Sequence, residues 1–443
     1  MKILEGKKFT IHVQGCRTNQ YEGEAIAAAL EALGAVHSND NPDIVVIVTC
    51  TITAVADRKC RKLIRRARRE NPRAVIAACG CYAQKMTEAE RKALDVDIVL
   101  GSRLKYKLPA LVAARLGGMS PVIMINSEIE MDARWDSLTL DRPRLHTRAF
   151  LKVQDGCNHY CSYCIVPSVR GKPVSRPLDE AVEEARRITE SGCPEIVLTG
   201  VHLGLYENLP LLVSRIGALP HIKRLRFGSI EPFAVNEELL AALADCPAFC
   251  EHLHMPLQSG DDGVLAAMRR GYKASDFAHI VQRARDVLGD NLHISTDLMV
   301  GFPTEDDAAF RRSLDFVREM AFGKVHVFPY SPREGTLAAA MKRVDTWEVH
   351  RRDAEAVALA AELHEKFSSA WIGKECLVLA EECENGTANG LTRNYIRITA
   401  KTDARVNEEF TAIPTVYYRE GLADSYALQN FQQLNTNITP SNY

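Results

Sequence analysis

Up to residue 118, short apolar runs alternate with stretches whose apolar positions recur at helical spacing. The runs FTIHVQG, DIVVIVT, AVIAACG and VDIVLG precede NQYEGEAIAAALEALG, AVADRKCRKLIRRARR, AQKMTEAERKAL and LKYKLPALVAARLG. Strand then helix, repeated, predicts an α/β doubly wound parallel sheet over residues 1–118. Residues 119–147 show no period and are expected to be a linker. From 148 to 369 the alternation resumes with AFLKV, EIVLTG, RLRFGS, HLHMP, HISTDLMVG and KVHVFP, which predicts an open (β/α)6 partial barrel. Polar, glycine-bearing segments follow the strands: TGVHLG, SIEP, PLQSGDD, GFPTE and PYSPREGT. Any one of them suits a turn. Together they lie where a (β/α) barrel builds its active site, at the carboxyl ends of the strands. An amphipathic stretch, 346–371, closes this unit, and ECLVLAEE, LTRNYIRITA and EFTAIPTVYY predict a small β-barrel over 370–435, with 436–443 as a tail.

Length and composition agree with this multidomain reading. A chain of 443 residues exceeds what one core supports. Its 46% apolar and 25% charged residues are ordinary for a globular protein, and no apolar run is long enough to span a bilayer. With no secretory start, thirteen cysteines point to a reducing cytoplasm, with thiols kept for metals or chemistry. The net charge of −2 does not by itself call for nucleic acid. One run does raise the question: RKCRKLIRRARR carries Arg58, Lys59, Arg61, Lys62, Arg65, Arg66, Arg68 and Arg69 with no acid among them. It reads either as a solvated helix face or as a contact for an anionic partner.

The cysteines carry the chemistry. Cys157, Cys161 and Cys164 fall within CNHYCSYC, so one turn of backbone holds three thiols. Thiolate selects zinc, copper(I) or iron-sulfur clusters. A structural zinc needs four ligands, and only His159 is near enough to complete such a set. A cubane on three cysteines leaves one iron open for a ligand. Separately, Cys16, Cys50 and the pair Cys79 and Cys81 each end a strand of the first unit, and loops at that edge of an open sheet meet in one crevice. A second cluster site is therefore expected there, with Cys79 read as a packed core thiol and Cys60 as no ligand. No GxGxxG follows the first strand and no P-loop motif is present.

CNHYCSYC resembles the CxxxCxxC signature of the radical S-adenosylmethionine (SAM) enzymes, and GCRTNQYEGE, VTCTITAVADRK and GCYAQ resemble the N-terminal domain of their methylthiotransferase branch. The resemblance implies two 4Fe-4S clusters. One sits on Cys157, Cys161 and Cys164 and cleaves SAM to a 5′-deoxyadenosyl radical; the other sits on Cys16, Cys50 and Cys81 and takes part in sulfur delivery. It further implies that Tyr163 lies near the adenine of SAM, and that Thr199 and Gly200 of TGVHLG, Ser229, Glu231, Thr296, Asp297 and Gly301 line the SAM pocket. The C-terminal unit resembles a TRAM module, which implies RNA contact, with Arg393, Asn394, Tyr395 and Arg397 as candidates. Arg170 and Arg176 are read either as a carboxylate or phosphate clamp or as structural ion pairs.

HTRAFLKVQDGCN, GSIEP and GLTRNYIRI look most like the group that acts on N6-threonylcarbamoyladenosine beside the tRNA anticodon. That base carries a carboxylate, and its pocket is expected to hold an unpaired cation, Arg170 or Arg333. The alternatives are the group acting on N6-isopentenyladenosine and the group acting on a ribosomal protein aspartate. From a different class come an iron-sulfur electron carrier and an RNA-binding protein with a structural cluster. The expected partners are a tRNA anticodon stem-loop, a flavodoxin-type electron donor and a sulfur donor.

Overall fold

The computed structural model describes residues 3–125, 128–418 and 421–424. Strands β1 (Lys8–Val13), β2 (Val36–His37), β3 (Ile44–Thr49), β4 (Val75–Gly80), β5 (Ile98–Leu100) and β6 (Val122–Met124) form a parallel sheet in the order β2-β1-β3-β4-β5-β6. Helices α1 (Arg17–Ala32), α2 (Ala54–Glu70), α3 (Cys81–Gln84), α4 (Glu88–Leu94) and α5 (Leu108–Leu116) connect them. All six residues of β3 and of β4 are buried, as strands covered on both faces must be. Alternate side chains separate into two cores. Val46, Val48, Ala77 and Cys79 pack on the α1 and α5 side, and Val45, Ile47, Ile76 and Ala78 pack with Cys60, Ile64 and Ala67 of α2. Parity along β4 thus sends Cys79 into the core, with its thiol pushed up to about 12 by burial.

The expected linker is a structural strap. Within 119–147, β6 adds the sixth strand, Leu138 and Leu140 are buried, and the backbone carbonyl of Leu138 accepts from the Tyr21 hydroxyl at 2.9 Å. The 119–147 boundary is corrected accordingly: scattered charges hid an edge strand only three residues long.

The central unit contains β7 (Ala149–Lys152), the short antiparallel pair β8 (Gln154–Asp155) and β9 (Val174–Ser175) flanking α6 (Val166–Arg170), then α7 (Leu178–Glu190), β10 (Glu195–Thr199), α8 (Leu209–Gly217), β11 (Arg224–Phe227), α9 (Glu237–Ala244), β12 (His252–His254), α10 (Asp262–Met268), α11 (Ala274–Leu288), β13 (His293–Val300), α12 (Asp307–Met320) and β14 (Lys324–Pro329). β7-β10-β11 and β12-β13-β14 are parallel sheets, joined by parallel bridges Leu225↔Phe249 and Ser229↔His254. The result is a six-stranded arc, with no pairing of β7 to β14 among the described residues. Helix α13 (Thr346–Ser369) packs along β14 and leads to the C-terminal sheet of β15 (Cys376–Glu384), β16 (Thr387–Thr392), β17 (Arg397–Lys401), β18 (Glu409–Ala412), β19 (Val416–Tyr418) and β20 (Gly421–Ala423), ordered β18-β15-β16-β17-β20-β19. LTRNYIRITA, expected as one strand, is a hairpin whose turn holds Tyr395 at φ +67°. Residues 425–443, including the expected tail, lie outside the described residues.

Candidate active site

Cys157, Cys161 and Cys164 lie on the loop between β8 and α6. The loop is pinned from several sides. Cys157 N–H donates to Gly171 O at 3.0 Å, Ser162 N–H to Met268 O at 3.0 Å, and Ala338 N–H to Ser162 O at 2.8 Å. The Cys161 sulfur accepts from Arg270 Nη1 at 3.6 Å, and the same guanidinium pairs with Glu231. Burial pushes the Cys157 thiol up to about 11 and Cys164 up to about 12, so without a metal both stay protonated near neutral pH. Three thiols on one loop, with a guanidinium beside Cys161 and no fourth protein ligand among the described residues, suit a cluster with one open iron, although no three His, Cys, Asp or Glu side chains there are drawn together as a metal site. His159 does not act as that fourth ligand: its Nε2 lies 3.1 Å from Arg270 O, and its ring stacks on Phe233.

The residues expected to contact SAM lie at or near the carboxyl ends of the barrel strands. Gly200 closes β10, where a Cβ would meet Gln154 at 2.9 Å, and Gln154 holds the next turn by accepting from His202 N–H at 2.7 Å. Both ring nitrogens of His202 are buried without a partner among the described residues, a polar demand that suits a polar ligand at this rim. Ser229 is exposed and Glu231 half-buried, both open to a ligand. Asp297 is half-buried, 3.3 Å from His254 Nε2. Thr199 is buried at the end of β10, and Tyr163 packs edge-on to Phe302 with ring centres 6.4 Å apart. Gly301, at φ +72°, gives its N–H to Glu305 at 2.8 Å. Thr296 is different. It is fully buried, with its hydroxyl donating to Met255 O at 2.7 Å and accepting from Leu257 N–H at 3.0 Å, so it fastens β12 to β13 and does not line the pocket.

The second set of thiols sits at the carboxyl edge of the N-terminal sheet. Cys16 caps α1, Cys50 follows β3 and Cys81 opens α3 after β4. Gly15 allows the close approach, since a Cβ there would meet the Cys50 sulfur at 3.0 Å. Cys60 lies behind Cys50, donating to Gln14 Oε1 at 3.0 Å and accepting from Cys50 N–H at 3.4 Å, so it braces the loop.

Arg170 connects the two sets. It lies at the end of the helix that follows Cys164, and its Nε donates to the Cys81 sulfur at 3.1 Å. Its other nitrogens bond Glu22 at 2.7 Å and Asn19 at 2.5 Å, with Asp155 at 3.3 Å. Lys105 and Lys152 join the same network, with Asp136 as a third carboxylate. Arg170 is 2% exposed, so of the two readings held for it the ion pair is the one realised. The same holds for Arg176, paired with Glu184 at 2.8 Å. Arg333 is held by Asp57 at 2.6 Å and Thr51 at 2.8 Å. None of the three is the unpaired cation expected for a substrate carboxylate, because each is already neutralised by an acid that packing buried beside it.

Arg393, Asn394 and Tyr395 are also corrected. Arg393 pairs with Glu251 at 3.3 Å and caps the carbonyls of Pro247 and Phe249, while Asn394 O accepts from His293. Tyr395 stacks on His252 at 4.5 Å, and the guanidinium of Arg226 lies 5.0 Å from its ring. This turn docks the C-terminal module under the barrel and is not turned outward to RNA; Arg397 alone of the four is exposed.

The residue missed by sequence reasoning is Arg17, next to Cys16. It reaches across to β11, donating to Phe227 O at 3.3 Å, and has no carboxylate partner among the described residues. A cation adjoining a candidate ligand cysteine was the available signal.

A six-stranded open arc with three thiols on its first loop defines a radical SAM protein, and residues 151–317 match the Radical SAM superfamily. Residues 8–101 match a second family, described as Uncharacterized protein family UPF0004. The fold is shared with the radical SAM methyltransferase TsrM of Kitasatospora setae (TM-score 0.57, 16% identity, 74% of this chain and 75% of that one). The chain is 35% identical over 407 residues to the threonylcarbamoyladenosine tRNA methylthiotransferase MtaB of Bacillus subtilis, covering 88% of this chain and 89% of that protein. It is also 35% identical, over 363 residues, to the tRNA-2-methylthio-N(6)-dimethylallyladenosine synthase of Legionella pneumophila, covering 78% and 80%. The protein belongs to the radical SAM tRNA methylthiotransferases, enzymes that use 4Fe-4S clusters and SAM. No helix among the described residues is long and apolar enough to cross a membrane.

Proposed function

We propose that the protein installs a methylthio group at C2 of N6-threonylcarbamoyladenosine beside the anticodon of tRNA, with Cys157, Cys161 and Cys164 holding one 4Fe-4S cluster and Cys16, Cys50 and Cys81 the other. When bound, the clusters and SAM supply electron transfer, radical formation and sulfur for transfer. The protein's own part is positional. Arg170 and its buried carboxylates hold the two cysteine sets in fixed relation, so a base placed between them meets both. Arg270 and Glu231 set the polarity beside Cys161, and the rim of Gly200, Ser229, Glu231 and Asp297 receives SAM.

The observation that carries the choice of base is Arg17. A half-buried guanidinium with no carboxylate partner among the described residues, beside Cys16 and bonded to the barrel carbonyl of Phe227, suits the carboxylate of the threonylcarbamoyl group; an apolar isopentenyl chain would leave it uncompensated. The likeness to MtaB, equal in identity to that with the dimethylallyladenosine synthase but spanning 88% of this chain against 78%, supports this choice. The reading places the enzyme in the cytoplasm, served by a flavodoxin-type reductant and a separate sulfur donor. Its test is mass spectrometry of nucleosides after anaerobic reaction with tRNA carrying either base. A methylthio mass on the threonylcarbamoyl base is expected, and Arg17→Leu should raise KM for that tRNA by about tenfold or more. Product on the isopentenyl base alone would overturn the assignment.

A further inference from the structure

Helix α2 presents a row of cations for which the site above has no use. Its buried stripe is Cys60, Ile64 and Ala67, which orients the opposite face outward. Two of its cations are structurally engaged: Arg68 pairs with Asp97 at 2.5 Å, and Arg66 with Glu70 at 2.9 Å. Arg61 lies over the Tyr82 ring. Arg58, Lys59, Lys62 and Arg65 have no acidic partner among the described residues, and Arg69 only reaches Glu70 at 3.9 Å. Arg58, Arg61, Lys62, Arg65, Arg66 and Arg69 line a continuous shallow groove along the helix. A solvated face would intersperse both signs, as i,i+4 neighbours of like charge destabilise a helix. Here Arg58, Lys62, Arg65 and Arg69 follow one another at intervals of three and four residues, a run of roughly 16 Å at 1.5 Å per residue. A nucleic-acid strand, with one phosphate per about 3.4 Å of axis, offers about five over that length.

The position of the helix gives the row its direction. Its first turn lies at the mouth of the active site: Thr53 caps it three residues after Cys50, Asp57 bonds Thr51 and Arg333, and Ala54 N–H donates to Ser331 of the barrel at 3.1 Å. Its last turn lies away from the mouth, where Arg68 meets Asp95 and Asp97. A strand whose reacting base enters between the two cysteine sets would meet this helix at its first turn.

We infer that the outer face of α2 is an RNA-phosphate binding rail, on which Arg58, Lys62, Arg65 and Arg69 hold the backbone of the anticodon arm while its base is in the barrel. The inference rests on the tRNA reading above but not on which base is modified. It is tested with the full, cluster-loaded chain and a tRNA carrying N6-threonylcarbamoyladenosine, measuring the dissociation constant across a potassium chloride series. The variant Arg58→Gln/Lys62→Gln/Arg65→Gln/Arg69→Gln should weaken binding at least about tenfold and lower the salt slope by about three, while tRNA-independent SAM cleavage and iron content stay at wild-type values. Lys62→Gln alone should lower the slope by about one. Wild-type affinity and slope in both variants would overturn the rail and leave the proposed function standing. No tRNA binding by the wild-type chain would overturn both. Normal binding and the expected loss of slope, with no methylthio product on the threonylcarbamoyl base, would retain the rail and reject the base assignment.

Discussion

Replacing Arg170 by Met removes the side chain that runs from the helix after Cys164 to the Cys81 sulfur while keeping most of its length. Three buried cations, Arg170, Lys105 and Lys152, face three buried carboxylates, Glu22, Asp155 and Asp136. The substitution leaves two against three, inside a network where Glu22 and Asp155 are each 2% exposed or less. Removing one partner of a buried pair costs about 3–5 kcal/mol, because the remaining charge stays desolvated. Burial alone would raise the Glu22 carboxyl, but Arg170, Lys105 and Lys152 outweigh it and hold it at about 2. Its folded pKa is thus below the unfolded value near about 4.3. That stabilisation is complete above the unfolded value and is lost as pH falls through about 2. The gap between wild type and Arg170→Met should accordingly be full at pH 7 and close on acidification from about 4 toward 2. Urea titration of both metal-free chains at several pH values measures it, and adding Glu22→Gln to the variant should recover part of the loss. A variant within about 0.5 kcal/mol of wild type at pH 7 would refute the reasoning, since a surface substitution costs no more than that.

Three further outcomes follow from the same geometry. Iron analysis after anaerobic reconstitution should give about eight irons per chain for wild type and about four for Cys157→Ala/Cys161→Ala/Cys164→Ala. Cys79→Ala should leave iron content at the wild-type value, because Cys79 lies in the core of the sheet; a loss of about four irons would make it a ligand. Arg393→Ala removes the pair with Glu251 and the caps on Pro247 and Phe249, and should lower stability by about 1–3 kcal/mol. Limited proteolysis should then cut near residues 370–375, while the salt slope of tRNA binding is unchanged; a changed slope would return Arg393 to the RNA surface.

What the sequence made legible was local or periodic. The six barrel runs each became a strand, because alternation with helices is written in the apolar pattern itself. The cysteine spacing in CNHYCSYC needed no tertiary information, and the strand-end rule brought Cys16, Cys50 and Cys81 to one edge. Cys79 is separated from Cys81 by the end of β4 at Gly80, after which Cys81 opens α3. What stayed hidden depends on partners distant in the chain. Arg170 looked available until Glu22 and Asp155 were folded against it. Arg333 did so until Asp57 met it. Tyr395 and Arg393 carried an RNA-like composition, but the register of β16 and β17 put them in a turn that meets His252 and Glu251 of the barrel. β6 was too short to show a period among charged neighbours.

The division of labour between the two cysteine sets is tested most directly in one anaerobic reaction of Cys16→Ala/Cys50→Ala/Cys81→Ala with SAM, reductant and tRNA, followed by mass spectrometry of 5′-deoxyadenosine and methylthio nucleosides together. Continued 5′-deoxyadenosine formation with no methylthio product is the predicted result. Methylthio product at the wild-type level would contradict the account.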